Sequence, residues 1–254
     1  MALRDLLLST GLAGHETEIL IVLGVGMLLG VVLLVWLCIS GRSKGRTVCL
    51  LGLSDSGKTL LYLRLNGSDF MRTQNSIKEN SCQYSLPGED KPLTLVDVPG
   101  NERIRESIFT KYKDTLKAIV LVVDSFNFPQ ETRSVAELIF DLLSDKVTHK
   151  RKLAILVVCN KQDLALVSGQ DYIKKRLEAE ITALRTTRAA KLESIDGGPK
   201  NQAPVMFGKK NKDFEFKDLS LPLVFVDCSA RGKGEESSCT GEIEEVQDWL
   251  AKLS

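Results

Sequence analysis

GLSDSGKT, residues Gly52 to Thr59, opens at the end of the apolar run Thr47–Leu53 and leads into Lys58–Leu65, where leucine recurs at helical spacing. The octapeptide fits the pattern GxxxxGK[ST], and a strand before it with a helix after it is the context that pattern requires. Gly52 and Gly57 permit backbone angles that let the N–H groups from Ser54, Asp55 and Ser56 onward curl around phosphate oxygens. Lys58 is placed to reach the outer phosphates of a nucleoside triphosphate, and the Thr59 hydroxyl to ligate Mg²⁺. The helix that follows aims the positive end of its dipole at the same anion.

Outward from this loop, the chain alternates short apolar runs with amphipathic segments. That pattern predicts an α/β domain with a mostly parallel sheet and, with the phosphate-loop motif, a P-loop fold carrying helices on both faces. After the first strand, Ser81–Leu86 and Leu93–Val96 flank the turn-rich PGEDKP and read as an antiparallel hairpin. Ala118–Asp124, Leu153–Cys159 and Leu223–Asp227 read as buried parallel strands. Helices are expected over Lys58–Leu65, Arg103–Thr115, Glu131–Ser144, Tyr172–Leu192 and Gly241–Leu253. Ligands of such sheets bind at the carboxyl ends of the strands, and the remaining motifs fall there.

NKQD, Asn160 to Asp163, ends the run 153–159 and identifies the base. An ionised Asp163 accepts from both the N1–H and the N2 amino group of guanine. Adenine offers neither donor there, and sites built on such polar pairs discriminate by about 10⁴ or more. Lys161 can lay its aliphatic stem along the base, and Asn160 is expected to tie this loop to the phosphate loop. Cys228-Ser229-Ala230-Arg231, after the last strand, is similar to the SAK segment of small GTPases, in which the N–H after the serine (here Ala230) meets guanine O6.

DVPG, Asp97 to Gly100, matches the DxxG of GTPases. Asp97 is expected to hold Mg²⁺ through water, and the Gly100 N–H to bond the γ-phosphate, so that loss of the phosphate releases the segment. Asn101 stands where Ras-type enzymes carry a glutamine that orients the attacking water. It is one methylene shorter, which predicts slow intrinsic hydrolysis. A further Mg²⁺ hydroxyl should come from Thr73 or Ser76, and spacing to the next strand favours Ser76. The cofactors expected are GTP or GDP with Mg²⁺.

The amino-terminal part reads differently. Ile19–Ile39 holds no charged residue over 21 positions, enough for a helix to cross a hydrocarbon core of about 30 Å. Arg42, Lys44 and Arg46 follow it, against Arg4 alone among basic residues before it, which places the following domain in the cytosol. The expected organisation is a short lumenal tail over 1–18, a transmembrane helix over 19–39, a basic linker over 40–46 and a GTP-binding domain over 47–254. A formal net charge of +1 gives no reason to expect direct nucleic acid binding. Six cysteines without a CxxC pair, and two histidines, argue against a zinc site.

Taken with these motifs, the chain resembles the signal recognition particle receptor beta-subunit family, relatives of the Arf and Sar branch of small GTPases. The most particular stretch is an insert at about 164–222 between NKQD and CSAR, carrying LEAEITALRTTRAAKL and GKKNKDFEFKDL. Read on its own, that insert is a surface helix followed by a mobile loop around GGPKNQAP. The resemblance implies a subunit of the endoplasmic reticulum membrane that holds the receptor's alpha subunit when GTP-bound, near ribosomes and the translocon. The alternative is an Arf/Sar-like regulator of vesicle coat recruitment. A permanent anchor disfavours it, since a coat regulator must leave the membrane in its GDP state.

Overall fold

The computed structural model describes residues 21–31, 33, 45–68, 71, 73, 74, 76, 78–85, 92–193, 207–209, 212–233 and 240–253. The chain divides into two compact units, Met1–Lys44 and Gly45–Ser254. In the first, residues 21–31 are helical, and Ile21, Val22, Leu23, Met27, Leu28 and Leu29 are exposed. Among the described residues no helix is long and apolar enough to cross a membrane. Much of the expected span 19–39 lies outside them, as do residues 1–18, 40–44 and the segment GGPKNQAP.

The second unit is built on a six-stranded sheet in the order β2-β3-β1-β4-β5-β6. The strands are β1 Thr47–Leu51, β2 Asn80–Tyr84, β3 Leu93–Asp97, β4 Leu116–Asp124, β5 Ala154–Asn160 and β6 Leu223–Asp227. Only β2 runs antiparallel, as the hairpin partner of β3. The central strands are apolar at nearly every position because helices cover both faces. The helices are α1 Lys58–Leu65, α2 Glu102–Tyr112, α3 Phe128–Ser144, α4 Lys146–Arg151, α5 Gln170–Glu193 and α6 Glu244–Ala251. One core packs α2, α3 and α5 against the sheet, and the other packs α1 and α6 against the opposite face. In α5, Ile173, Leu177, Ile181 and Leu184 recur every three or four residues and are buried, so one stripe of a long polar helix docks.

Gly45 fastens the start of this unit. A Cβ there would lie 2.2 Å from the Thr115 carbonyl oxygen, so only glycine lets the backbone pass against the base of β4. Thr47 then donates its N–H to that carbonyl at 3.0 Å.

Two features of the carboxyl-terminal half were not expected from the sequence. The described part of GKKNKDFEFKDL packs into the core through its phenylalanines. Phe140, Phe207, Phe214, Phe216 and Phe225 form a chain of edge-to-face contacts with successive centroids 5.0, 5.5, 5.1 and 5.1 Å apart. Thr182 Oγ1 and Glu178 Oε1 on α5 accept from the Phe214 and Phe216 N–H groups, both at 2.9 Å. CSAR runs into a further strand. Ser229–Lys233 forms β7, paired with β8 (Thr240–Glu242) in a two-stranded antiparallel sheet.

Candidate nucleotide site

The loops that follow β1, β3, β4, β5 and β6 meet at one end of the sheet. A cleft of about 290 Å³ opens there, lined by Asp55, Gly57, Lys58, Thr59, Thr73, Gln74, Ser76, Val98, Pro99, Gly100 and Lys161. The phosphate loop takes its shape from positive φ angles at Asp55 (61°) and Gly57 (88°), the second forming the cap of α1. Gly57 is also sterically required, since a Cβ would sit 2.2 Å from Asn160 Nδ2.

Asn160 is buried and spends both ends of its carboxamide on backbone. Nδ2 donates to Ser56 O at 2.8 Å, tying the two loops as the sequence predicts, and Oδ1 accepts from Ala230 N at 2.9 Å. The Ala230 N–H, expected to meet guanine O6, is therefore engaged within the protein. A buried carboxamide oxygen needs a donor, and β7 supplies the nearest one. Ser229 also acts through its side chain. Its hydroxyl donates to Asp163 Oδ1 at 2.6 Å and accepts from Gly232 N at 2.8 Å, fixing the carboxylate's direction.

Lys161 lies beside the cleft in left-handed conformation, φ 71°, with its ammonium 2.6 Å from Asp124 Oδ2. Sequence reasoning missed Asp124. It is buried, and it accepts from Phe126 N, Asn127 N and Asn127 Nδ2 at 2.9, 3.1 and 2.8 Å. Burial works against its charge, but Lys161 and the Asn127 donors outweigh that and hold its pKa below the ordinary value. The available signal was an acidic residue closing the apolar run 118–124. Gln162, also missed, joins the loops by donating to Ser125 Oγ, Ser168 O and Asp227 Oδ1.

On the phosphate side, Lys58 is buried, with Nζ 2.5 Å from Leu53 O and 3.3 Å from Ser56 Oγ. Burial pushes its pKa down to about 8, against the pull of Asp97. Thr59 Oγ1 donates to Asp97 Oδ2 at 2.8 Å and lies 3.2 Å from Ser76 Oγ. Asn80 also donates to Asp97 Oδ2, while Asp97 Oδ1 is buried without a hydrogen-bond partner among the described residues. An orphaned carboxylate oxygen beside two hydroxyls suits a hard, oxygen-seeking cation that keeps some of its water, as Mg²⁺ does. Thr73 also lines the cleft, but it is Ser76 that touches Thr59.

Gly100 packs directly on the phosphate loop, where a Cβ would come within 2.5 Å of Ser54 N. Ser54 thus serves as the surface on which the DVPG segment rests. Asn101 caps α2, its Oδ1 accepting from Ile104 N at 3.5 Å, and it is not among the residues lining the cleft.

A family model for the signal recognition particle receptor beta subunit matches residues 43–223. The human signal recognition particle receptor subunit beta is 39% identical over 216 residues, which span 85% of this chain and 79% of the human protein. A structure of the mammalian SRP receptor is similar with TM-score 0.70 and 36% identity, covering 82% of this chain and 100% of the other. The SRb-GTP/SRX complex of Chaetomium thermophilum shares the fold at TM-score 0.60 and 19% identity, covering 83% of this chain and 99% of that one. With residues 43–223 matched by the family model and more than a third of the aligned residues identical to the human protein, this chain belongs to the signal recognition particle receptor beta-subunit family.

Proposed function

We propose that this chain is a GTP-gated, membrane-anchored subunit of the signal recognition particle receptor. It holds the alpha subunit at the endoplasmic reticulum membrane while secretory and membrane proteins are delivered during their synthesis. The observation that carries the proposal is the Asn160 clamp, one buried side chain joining the phosphate loop to both segments that read the base.

In this reading Gly52, Ser54, Asp55, Ser56, Gly57 and Lys58 surround the phosphates, and Asp163, oriented by Ser229, selects guanine. Lys161, steadied by Asp124, flanks the base, while Asn160 and Ala230 hold the loops in register. Thr59, Ser76 and Asp97 would hold Mg²⁺, which neutralises phosphate charge when bound. A γ-phosphate is sensed at Gly100, whose backbone rests on the loop that cradles it, so the two nucleotide states present different DVPG surfaces. Asn101, occupied with capping α2, supports slow turnover, as suits a tether. The apolar residues exposed on the helix 21–31 support a lipid environment for the amino-terminal segment.

The test uses the full chain in lipid nanodiscs, loaded with a non-hydrolysable GTP analogue or with GDP, and purified alpha subunit. Binding at least tenfold tighter in the GTP form is expected. Equal binding in both states would refute gating, and no binding in either would refute the receptor assignment. Protease treatment of sealed microsomes checks the topology: the domain from Gly45 onward is expected to be digested, and its protection would reverse the orientation.

A further inference from the structure

A second cavity, of about 230 Å³, opens between α2 and α3. Its floor and walls include Leu51, Phe109, Leu138 and Leu142. Leu51 immediately precedes Gly52 of the phosphate loop, and α2 begins directly after Gly100 and Asn101. The cavity is thus flanked by the strand that runs into the phosphate loop and by the helix that follows the DVPG segment.

Charge at its rim is unevenly satisfied. Lys113 is ion-paired with Asp145. Asp141 is held by Arg188 at 2.6 Å. Arg105 is half-buried, makes no ion pair among the described residues, and spends one N–H on Gly100 O at 2.9 Å. A guanidinium carries five donors in a planar fork that suits a carboxylate. Burial lowers its pKa, against the opposing pull of Glu102, Glu106 and Asp141. A volume of about 230 Å³ has room for a ring-sized body.

We propose that this cavity is a regulatory site for a small carboxylate with an apolar, ring-sized body, which seats the body on Leu51, Phe109, Leu138 and Leu142 and the acid on Arg105. Occupancy draws Arg105 from the Gly100 carbonyl and loosens the segment that senses the γ-phosphate. Binding does not depend on the GTP reading above; its effect on nucleotide does.

The probes are 4-(trifluoromethyl)benzoate and the matching benzamide, which keeps the apolar body and replaces the carboxylate by a neutral carboxamide. Binding to the full chain in nanodiscs is read by ¹⁹F NMR, with empty discs subtracted. Saturable binding of the acid, at least about tenfold tighter than the amide, is expected. Arg105→Gln should remove that preference, and Leu138→Met should alter the affinity for both probes without changing their ratio. Acid and amide binding equally, or Arg105→Gln retaining the preference, would overturn the site. With fluorescent GTP analogue loaded, saturating acid should speed nucleotide release at least threefold in the parent and leave Arg105→Gln unchanged. An unchanged rate in the parent, with the acid bound, would overturn the coupling alone. Failure to load any guanine nucleotide would instead count against the proposed function.

Discussion

Replacing Asn160 by alanine removes the donor to Ser56 O and the acceptor for Ala230 N together. Ser56 and Ala230 are each 1% exposed, so neither backbone group regains water without rearrangement. An unsatisfied buried polar group costs about 1–3 kcal/mol, giving roughly 2–6 kcal/mol for the pair, with the lower half favoured if water enters the vacated space. In a domain of this size each kcal/mol lowers the melting temperature by about 2–4 °C, so a fall of about 6–12 °C is expected for a loss of about 3 kcal/mol. The side chain's neighbour sharpens the test. Gly57→Ala adds a methyl 2.2 Å from Asn160 Nδ2 at a backbone φ of 88°. It should cost about 1–2 kcal/mol for the left-handed angle plus whatever displacing the carboxamide loses. Without that carboxamide the collision disappears. The double variant should therefore be less destabilised than the sum of the single ones by about 1 kcal/mol or more. Near-UV circular dichroism of the full chain on heating measures all four proteins. An Asn160→Ala melting temperature within about 1 °C of the parent, or strictly additive penalties, would refute the clamp.

Lys58, with its pKa lowered to about 8, is about half neutral at pH 8, and an anion favours its ammonium form. Nucleotide binding at that pH should take up roughly half a proton, seen by calorimetry in buffers of different ionisation enthalpy and lost in Lys58→Met; because the unfolded lysine titrates near 10.5, the nucleotide-free domain should gain stability as pH rises from about 8 to 10.5. Asn101→Ala should lower stability by about 1 kcal/mol through loss of the α2 cap yet leave single-turnover GTP hydrolysis within about twofold; a tenfold fall would return Asn101 to the reacting water. Phe214→Ala should cost about 3–5 kcal/mol and lower the melting temperature by at least about 6 °C, whereas a loop without a packing role would tolerate it.

The fold was legible because its signals are local. Glycine at 52 and 57, Lys58 and a strand-then-helix context specify the loop after β1, and unbroken apolar runs mark β4 and β5. What escaped depends on distant partners. Asp124 shows its role only where β4 and β5 lie in register and Lys161 arrives beside it. The Ala230 N–H looked free for guanine, since a sequence does not reveal that Asn160's oxygen must also be satisfied. SARGK has no strand pattern and is extended because Thr240–Glu242 pairs with it. The five phenylalanines are spread from 140 to 225 with no period, so their contact appears only once α3, α5 and β6 are assembled.

The fastening at Gly45 has a mechanical consequence. Tension arriving from the preceding chain enters β1 at its first residue, and β1 lies between β3 and β4, bonded in parallel to both. A pull along the strand axis loads both ladders in shear, so many hydrogen bonds share the force instead of opening one after another. Stretching the domain between residue 45 and its carboxyl terminus should therefore need more force than peeling the edge strand β2, a difference that optical tweezers resolve. The strand that carries that load leads straight into Gly52, so a tug on the chain before residue 45 is transmitted to the phosphate loop before it reaches any other loop of the site.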